Sequence, residues 1–250
     1  MNQLCVSETI YSNFRLGNHT LSPRRTGLSR DLLALQVLCD FDGTITKVDA
    51  TDAVLETFAL SAFREWEGRW ERGEITSREC LSRQVELIRA DRAELVQFAA
   101  ELPVDEGIVT LNQRCIERGI PLMIVSDGLD LIIETVLQQH GLSHIPAISN
   151  RLVWNGNGYP SLSFPFASPG CWVGAGTCKC AAAASGGLSL KDTAYIGDGR
   201  SDRCVSTVAQ QVFAKGRLRE WCDLQGIACE PFETLTDVTE RLFRKGEQIE

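Results

Sequence analysis

The sequence predicts an α/β protein built on an open parallel sheet. Three short apolar runs, at residues 32–38, 120–125 and 194–196, carry that prediction, because each delivers acidic or small polar residues at its C-terminal end. Near-continuous apolar runs mark strands buried on both faces, and open α/β sheets bind ligands beyond the carboxyl ends of their strands. The segments between the runs show helical spacing of apolar residues, the alternation expected of strand–helix–strand units.

The first run ends in Asp40-Phe41-Asp42-Gly43-Thr44, with two carboxylates at i and i+2 beyond the strand. Such a pair repels unless a cation or a proton lies between, and Gly43 lets the backbone turn sharply beside a ligand. A divalent metal together with a phosphate is the simplest chemistry that meets both demands. Residues 48–105 then read as a helical excursion inserted between the first and second strands. Asp49 and Asp52 open an apolar-periodic segment, where an Asp is first of all an N-cap. Trp66 and Trp70 follow at i and i+4, then an amphipathic run over 75–88 and a helix over 94–102 that stops at Pro103. At least one of the tryptophans is expected to pack the excursion's own interior.

The sheet resumes after a helix near 107–117. The second run ends in Ser126-Asp127-Gly128, and the helix from Leu129 adds N–H groups and a dipole that favour an anion. Taken alone, Ser126 would be a helix cap; its place at a strand end makes it a ligand group. Two short runs around Asn155-Gly156-Asn157-Gly158 read as a β-hairpin. Cys171, Cys178 and Cys180 could offer thiolates to zinc, but their spacing matches no common zinc module and no paired His or fourth Cys lies nearby in sequence, so they read as plain thiols. The third run ends in Gly197-Asp198-Gly199-Arg200-Ser201-Asp202. Short strands over 211–214 and 226–229 and a helix over about 235–243 complete the chain.

The bulk numbers bound the function. At 250 residues and 44% hydrophobic content the chain can bury a sizeable core. A net charge of −8 argues against nucleic acid or an anionic membrane as partner. No apolar run reaches the ~20 residues of a membrane-spanning helix. Ten cysteines in a chain of this length, without a signal peptide and with Cys39 inside a strand, read as reduced thiols of a cytoplasmic protein. Residues 1–30 carry four arginines against the single acid Glu8 and read as a disordered extension, organellar targeting being the alternative.

Asp40-Phe41-Asp42-Gly43-Thr44 resembles the first motif of the haloacid dehalogenase superfamily, D-x-D-G-T. Ser126 resembles its second motif, Lys179 its third and Gly197-Asp198-Gly199-Arg200-Ser201-Asp202 its fourth, in order over roughly residues 35–215. Lys191, the competitor for the third motif, sits ahead of the next strand and away from the site. The resemblance implies a Rossmann-like, doubly wound core (residues 31–47 and 106–250) with residues 48–105 as a helical cap. It also implies a magnesium-dependent phosphatase of small-molecule phosphate esters. Asp40 would be the nucleophile, Asp42 the acid and base, and Lys179 the charge-neutralising cation. Ser126, Asp127, Gly128 and Lys179 would hold the phosphate; Asp40, Asp42, Asp198 and Asp202 would hold Mg2+. The cap residues Asp49, Arg83 and Gln84 would face the leaving group. Where phosphoserine phosphatases carry a substrate-binding arginine this chain has Gln84, and for their cap glutamate it has Asp49. Gly176-Thr177-Cys178-Lys179 and Ser126-Asp127-Gly128 look more like the methionine-salvage phosphatases acting on 2-hydroxy-3-keto-5-methylthiopentenyl-1-phosphate. Phosphoserine, phosphocholine or transfer to an acceptor other than water are the alternatives.

Overall fold

The computed structural model describes residues 36–154, 159–185 and 189–244. The predicted N-terminal extension, the start of the first apolar run and the Asn/Gly turn at 155–158 lie outside them.

The sheet opens with β1 (Gln36–Cys39), whose four side chains are all buried. Four helices follow: α1 (Ala50–Phe58), α2 (Phe63–Glu71), α3 (Ser77–Val85) and α4 (Arg92–Ala100). Asp49, Thr76 and Asp91 cap α1, α3 and α4 with side-chain oxygens, and Glu94 returns a bond to the Asp91 backbone to close a capping box. The expected helical run at 75–88 is shorter at both ends. Thr76 starts it, and after Val85 the chain leaves the helix so that Ile88 can bridge to Ala59. The two ends of this excursion meet, since Thr46 bridges Val104, Lys47 N–H donates to Pro103 O at 2.8 Å and Asp105 N–H to Ile45 O at 2.8 Å.

The core then continues through α5 (Gly107–Arg118), β2 (Leu122–Leu129), α6 (Asp130–Gln139) and the antiparallel pair β3 (Ala147–Trp154) and β4 (Pro160–Ser163). After a long loop come α7 (Lys179–Ser185), β5 (Thr193–Gly197), α8 (Arg203–Ser206) and β6 (Gln211–Ala214). The chain closes with α9 (Gly216–Gln225), β7 (Glu230–Pro231) and α10 (Leu235–Arg244). The strand expected over 226–229 is displaced. Leu218 and Cys222, four residues apart, are buried on one face of α9, and Gly226 closes that helix at φ +67°. Only Glu230 and Pro231 remain to pair with β6, and Pro belongs at such an edge.

The strand order is β4-β3-β2-β1-β5-β6-β7, parallel except for β4. The chain builds outward from β1 to β4, then returns to β1 and builds outward again through β5. That reversal leaves a crevice at the carboxyl end of β1, where α/β sheets bind ligands. Side chains alternate between two apolar layers, as the pleat requires. Val37, Ile124, Ile196 and Phe213 face the layer with α1, α3–α6 and α10. Leu38, Val125, Tyr195 and Val212 face the layer with α7–α9. The first layer runs without a break into Val54, Leu55, Val85 and Leu95 of the excursion helices.

Candidate active site

Three strand ends converge at the crevice. β1 supplies Asp40, only 4% exposed, whose backbone N–H is tied to Ile196 O of β5 at 2.9 Å. Phe41 is fully buried and splits the two acids, sending Asp40 and Asp42 to different partners. Asp40 Oδ1 accepts the Phe41 N–H at 2.8 Å, and its Oδ2 meets the Lys179 ammonium at 2.7 Å. Asp42 Oδ1 accepts the N–H and hydroxyl of Thr51 at 3.0 and 3.3 Å; its Oδ2 accepts the Ser126 hydroxyl at 2.9 Å. The backbone comes so close that only glycine fits at two points. A Cβ on Gly43, whose φ is +68°, would lie 2.5 Å from Asp198 Oδ2, and one on Gly128 would lie 2.2 Å from Asp42 Oδ2.

Lys179 enters from the first turn of α7 and is fully buried between Asp40 and Asp202. Asp202 is saturated. Its Oδ1 accepts from Lys179 and from the Tyr195 hydroxyl, while its Oδ2 accepts the N–H groups of Asp198 and Gly199 at 2.9 and 2.8 Å. It thereby fixes both the lysine and the loop that presents Asp198, whose Oδ1 accepts the Thr44 hydroxyl at 3.1 Å. Lys191 is exposed in a 3₁₀ turn ahead of β5, away from this centre.

Burial pushes the Asp40 carboxyl well above the usual carboxylate range, with Asp202 adding to the rise and Lys179 opposing it. Burial and then Asp202 push Asp198 up to about 6. Asp202 moves the other way, because Lys179, Tyr195 and the Gly199 N–H outweigh its own burial. Burial alone would lower Lys179, but Asp202 and Asp40 hold its ammonium above the ordinary lysine range.

Asp40, Asp198 and Asp202 each bring one carboxylate oxygen within 4.8 Å of the others. One lysine cannot balance three carboxylates, and hard oxygen donors in a partly hydrated cleft suit magnesium. The residues present therefore fit a divalent cation. The bonds already made by Asp202 leave Asp40 and Asp198 as the better ligands, and the Asp42 carboxylate is turned to Thr51 and Ser126 instead.

The Asp127 side chain is turned to other groups of the protein, which leaves only its backbone N–H for a phosphate. Its carboxylate accepts from Thr177 N–H at 2.9 Å, Asn150 at 3.0 Å and Ser77 at 3.0 Å. It joins the start of α3, β3 and the loop leading to Lys179, and a carboxylate so placed would repel a phosphate. Of the cap candidates, Asp49 lines the cleft mouth while capping α1. Gln84 also lines the cleft; it is buried and donates to Glu67 Oε2 at 2.8 Å. Arg83, one residue away, is exposed, lies over the Trp66 ring and is 3.8 Å from Glu86; it is not among the lining residues. Sequence reading missed Thr51, Tyr195, Glu67, Arg200 and Arg217. Arg200 stacks on Trp70 at 4.4 Å, and both line the cleft, as does Arg217.

The family model described as haloacid dehalogenase-like hydrolase matches residues 37–206, which include Asp40, Ser126, Lys179, Asp198 and Asp202. The chain belongs to this family. A relative named 2-hydroxy-3-keto-5-methylthiopentenyl-1-phosphate phosphatase, from Bacillus thuringiensis subsp. konkukian, is 30% identical over 213 residues, 84% of this chain and 96% of its own. A crystal structure of a phosphoserine phosphohydrolase-like protein from Francisella tularensis subsp. tularensis superposes with a TM-score of 0.63 at 18% identity, covering 83% of this chain and 99% of that one. The phospho-aspartyl intermediate analogue of phosphoserine phosphatase superposes with a TM-score of 0.60 at 18% identity over 83% and 98% of the two chains. At such identities the two structures establish the fold shared with other members of the family. Among the described residues no helix is long and apolar enough to cross a membrane.

A pH prediction follows from the raised acids. Asp198 takes a proton as pH falls through about 6, and a neutral carboxyl is a poor magnesium ligand. Apparent magnesium affinity, measured by calorimetric titration between pH 5 and 8, is expected to fall by up to about tenfold per unit as pH drops below about 6. An affinity flat across that range would remove these acids from the metal site.

Proposed function

We propose that this phosphoric monoester hydrolase works through an aspartyl-phosphate on Asp40, and that its substrate is 2-hydroxy-3-keto-5-methylthiopentenyl-1-phosphate. The observation that carries the mechanism is the contrast between the two carboxylates of one turn. Asp40 is buried against a lysine and offers an oxygen to phosphorus; Asp42 is hydrogen-bonded by Thr51 and Ser126 and stands beside it. Asp40 attacks the phosphoryl group while Asp42 protonates the departing oxygen. Asp42 then takes the proton of the water that cleaves the aspartyl-phosphate. Lys179 holds its positive charge at the phosphoryl oxygens throughout, and the Ser126 hydroxyl and nearby backbone N–H groups donate to them. A magnesium ion held by Asp40 and Asp198 would supply further positive charge there. Residues 48–105 act as the cap that closes over the leaving group and excludes water.

The choice of substrate draws on the name of the relative that is 30% identical and on the leaving-group end of the cleft. Phosphoserine would bring an ammonium and a carboxylate, and each needs a partner inside. Gln84 is an amide engaged with Glu67, not a guanidinium, and amides do not replace bidentate guanidinium contacts. Arg200 is laid on Trp70, and Arg217 faces Asp52. Leu81, Cys80 and Trp70 provide apolar wall for a methylthio chain. The test is a comparison of kcat/KM across phosphate esters with magnesium present. The methylthio-keto ester is expected to exceed phosphoserine by about 100-fold or more, because an unpaired buried charge costs several kcal/mol. A preference for phosphoserine would overturn the substrate and leave the phosphatase centre intact.

A further inference from the structure

The structure brings together cysteines that the sequence scatters. Cys171 and Cys178 belong to the loop before α7, Cys180 is the second residue of α7, and Cys204 is the second residue of α8. Cys171 makes thiol contacts with both Cys178 and Cys204. Cys180 Sγ and Cys204 Sγ lie 3.1 Å apart, and all nine described cysteines are free. Cys180 is half-buried and Cys204 is buried. Zinc does not explain the cluster. Among the described residues the acidic triad is the only set of three or more ligand side chains close enough to share an ion.

The close pair flanks the catalytic ion pair. Cys180 follows Lys179 directly, and Cys204 lies two residues beyond Asp202, so a bond between the two sulfurs would join the helices that hold Lys179 against Asp202. We propose that Cys180 and Cys204 form a reversible oxidation site whose disulfide turns the hydrolase down. Hydrogen peroxide or an organic peroxide is the oxidant. The Cys204 sulfur, which accepts the Cys180 thiol hydrogen, attacks a peroxide oxygen, the O–O bond breaks, and water or an alcohol leaves with the thiol proton, giving the sulfenic acid on Cys204. The Cys180 sulfur then attacks the Cys204 sulfur, the S–O bond breaks and water leaves. The two thiols lose two electrons in all, and the peroxide gains them. A reducing dithiol restores both thiols by exchange.

A bond between the sulfurs ties the first turn of α7 to α8, which the thiol contact now joins only loosely. Lys179 adjoins Cys180 and Asp202 lies two residues before Cys204, so a restraint on the two sulfurs acts on the placement of Lys179 against Asp202. A misplaced catalytic group can cost up to about 100-fold in rate.

The test uses reduced wild-type protein treated with hydrogen peroxide, alkylated at its remaining free thiols, digested and mapped by mass spectrometry. A cross-linked Cys180–Cys204 peptide is expected. With it, kcat/KM on para-nitrophenyl phosphate with magnesium should fall about 100-fold and recover fully in dithiothreitol. Cys180→Ser and Cys204→Ala should keep the activity of the reduced enzyme and lose the peroxide response; each serves if the other fails to fold, and the mapping needs neither. Absence of that cross-link, a cross-link that leaves kcat/KM unchanged, or variants as sensitive as the wild type would each overturn the proposal.

Discussion

Asp40→Asn is expected to lower turnover by about four orders of magnitude or more, as loss of a nucleophile does in other enzymes, while the fold survives. The amide keeps the shape of the side chain but cannot attack phosphorus. Stability gives a second, independent readout. Burial and the neighbouring acids push the Asp40 carboxyl well above its usual range, so its ionised form is disfavoured in the folded protein. A raised carboxyl costs the folded state stability at every pH above the unfolded value. Asp40→Asn removes that cost, although it also removes one partner of Lys179, which keeps Asp202. The variant is therefore expected to unfold at pH 7 no earlier than the wild type in a urea titration without magnesium. Retention of a tenth of the activity would mean that another group attacks phosphorus.

Lys179→Met is expected to damage both fold and chemistry. The ammonium is fully buried between Asp40 and Asp202. Removing one partner of a buried ion pair leaves uncompensated charge and costs about 3–5 kcal/mol. Losing a fixed positive charge at the phosphoryl oxygens is expected to lower kcat by about 100–1,000-fold. Two conditions should reduce the loss of stability. Magnesium places positive charge among the same carboxylates, and acid neutralises Asp198 as pH falls through about 6. The urea midpoint of the variant should therefore lie closest to that of the wild type with magnesium or near pH 5, and furthest from it at pH 8 without the metal. A deficit independent of both would show that Lys179 acts there by packing alone. Lys179→Arg should not rescue activity, because a planar guanidinium does not replace a compact, fully buried ammonium held between two carboxylates.

The contrast between Gln84 and Arg83 shows where sequence reading reaches its limit. Both were candidates for the leaving-group end, and they are neighbours in α3. One residue turns a helix by about 100°, which sets Gln84 in the cleft and Arg83 over Trp66 in solvent. The surroundings of the Asp127 carboxylate were hidden for a related reason. Its strand-end position was legible, but its partners Ser77, Asn150 and Thr177 come from three distant segments. Tyr195 was read only as a strand residue, yet the pleat sends its hydroxyl through the α7–α9 layer to Asp202. Cys204 carried no local signal at all, and only the packing of α8 on α7 brings it to Cys180.

Apolar runs, the i, i+2 spacing of Asp40 and Asp42, and the order of the later motifs were enough to predict the parallel sheet, its helical excursion and most of the polar residues that meet at the strand ends. Those features are local: they depend on backbone periodicity and on what a strand end exposes. Partnership is not local. Asp40 meets Lys179 and lies beside Asp198 because β1 takes its place between β2 and β5, and that strand order arises from burying both faces of the whole sheet at once. The charge balance of the site, the saturation of Asp202 and the thiol pair at its back all follow from that global packing, which no window of sequence contains.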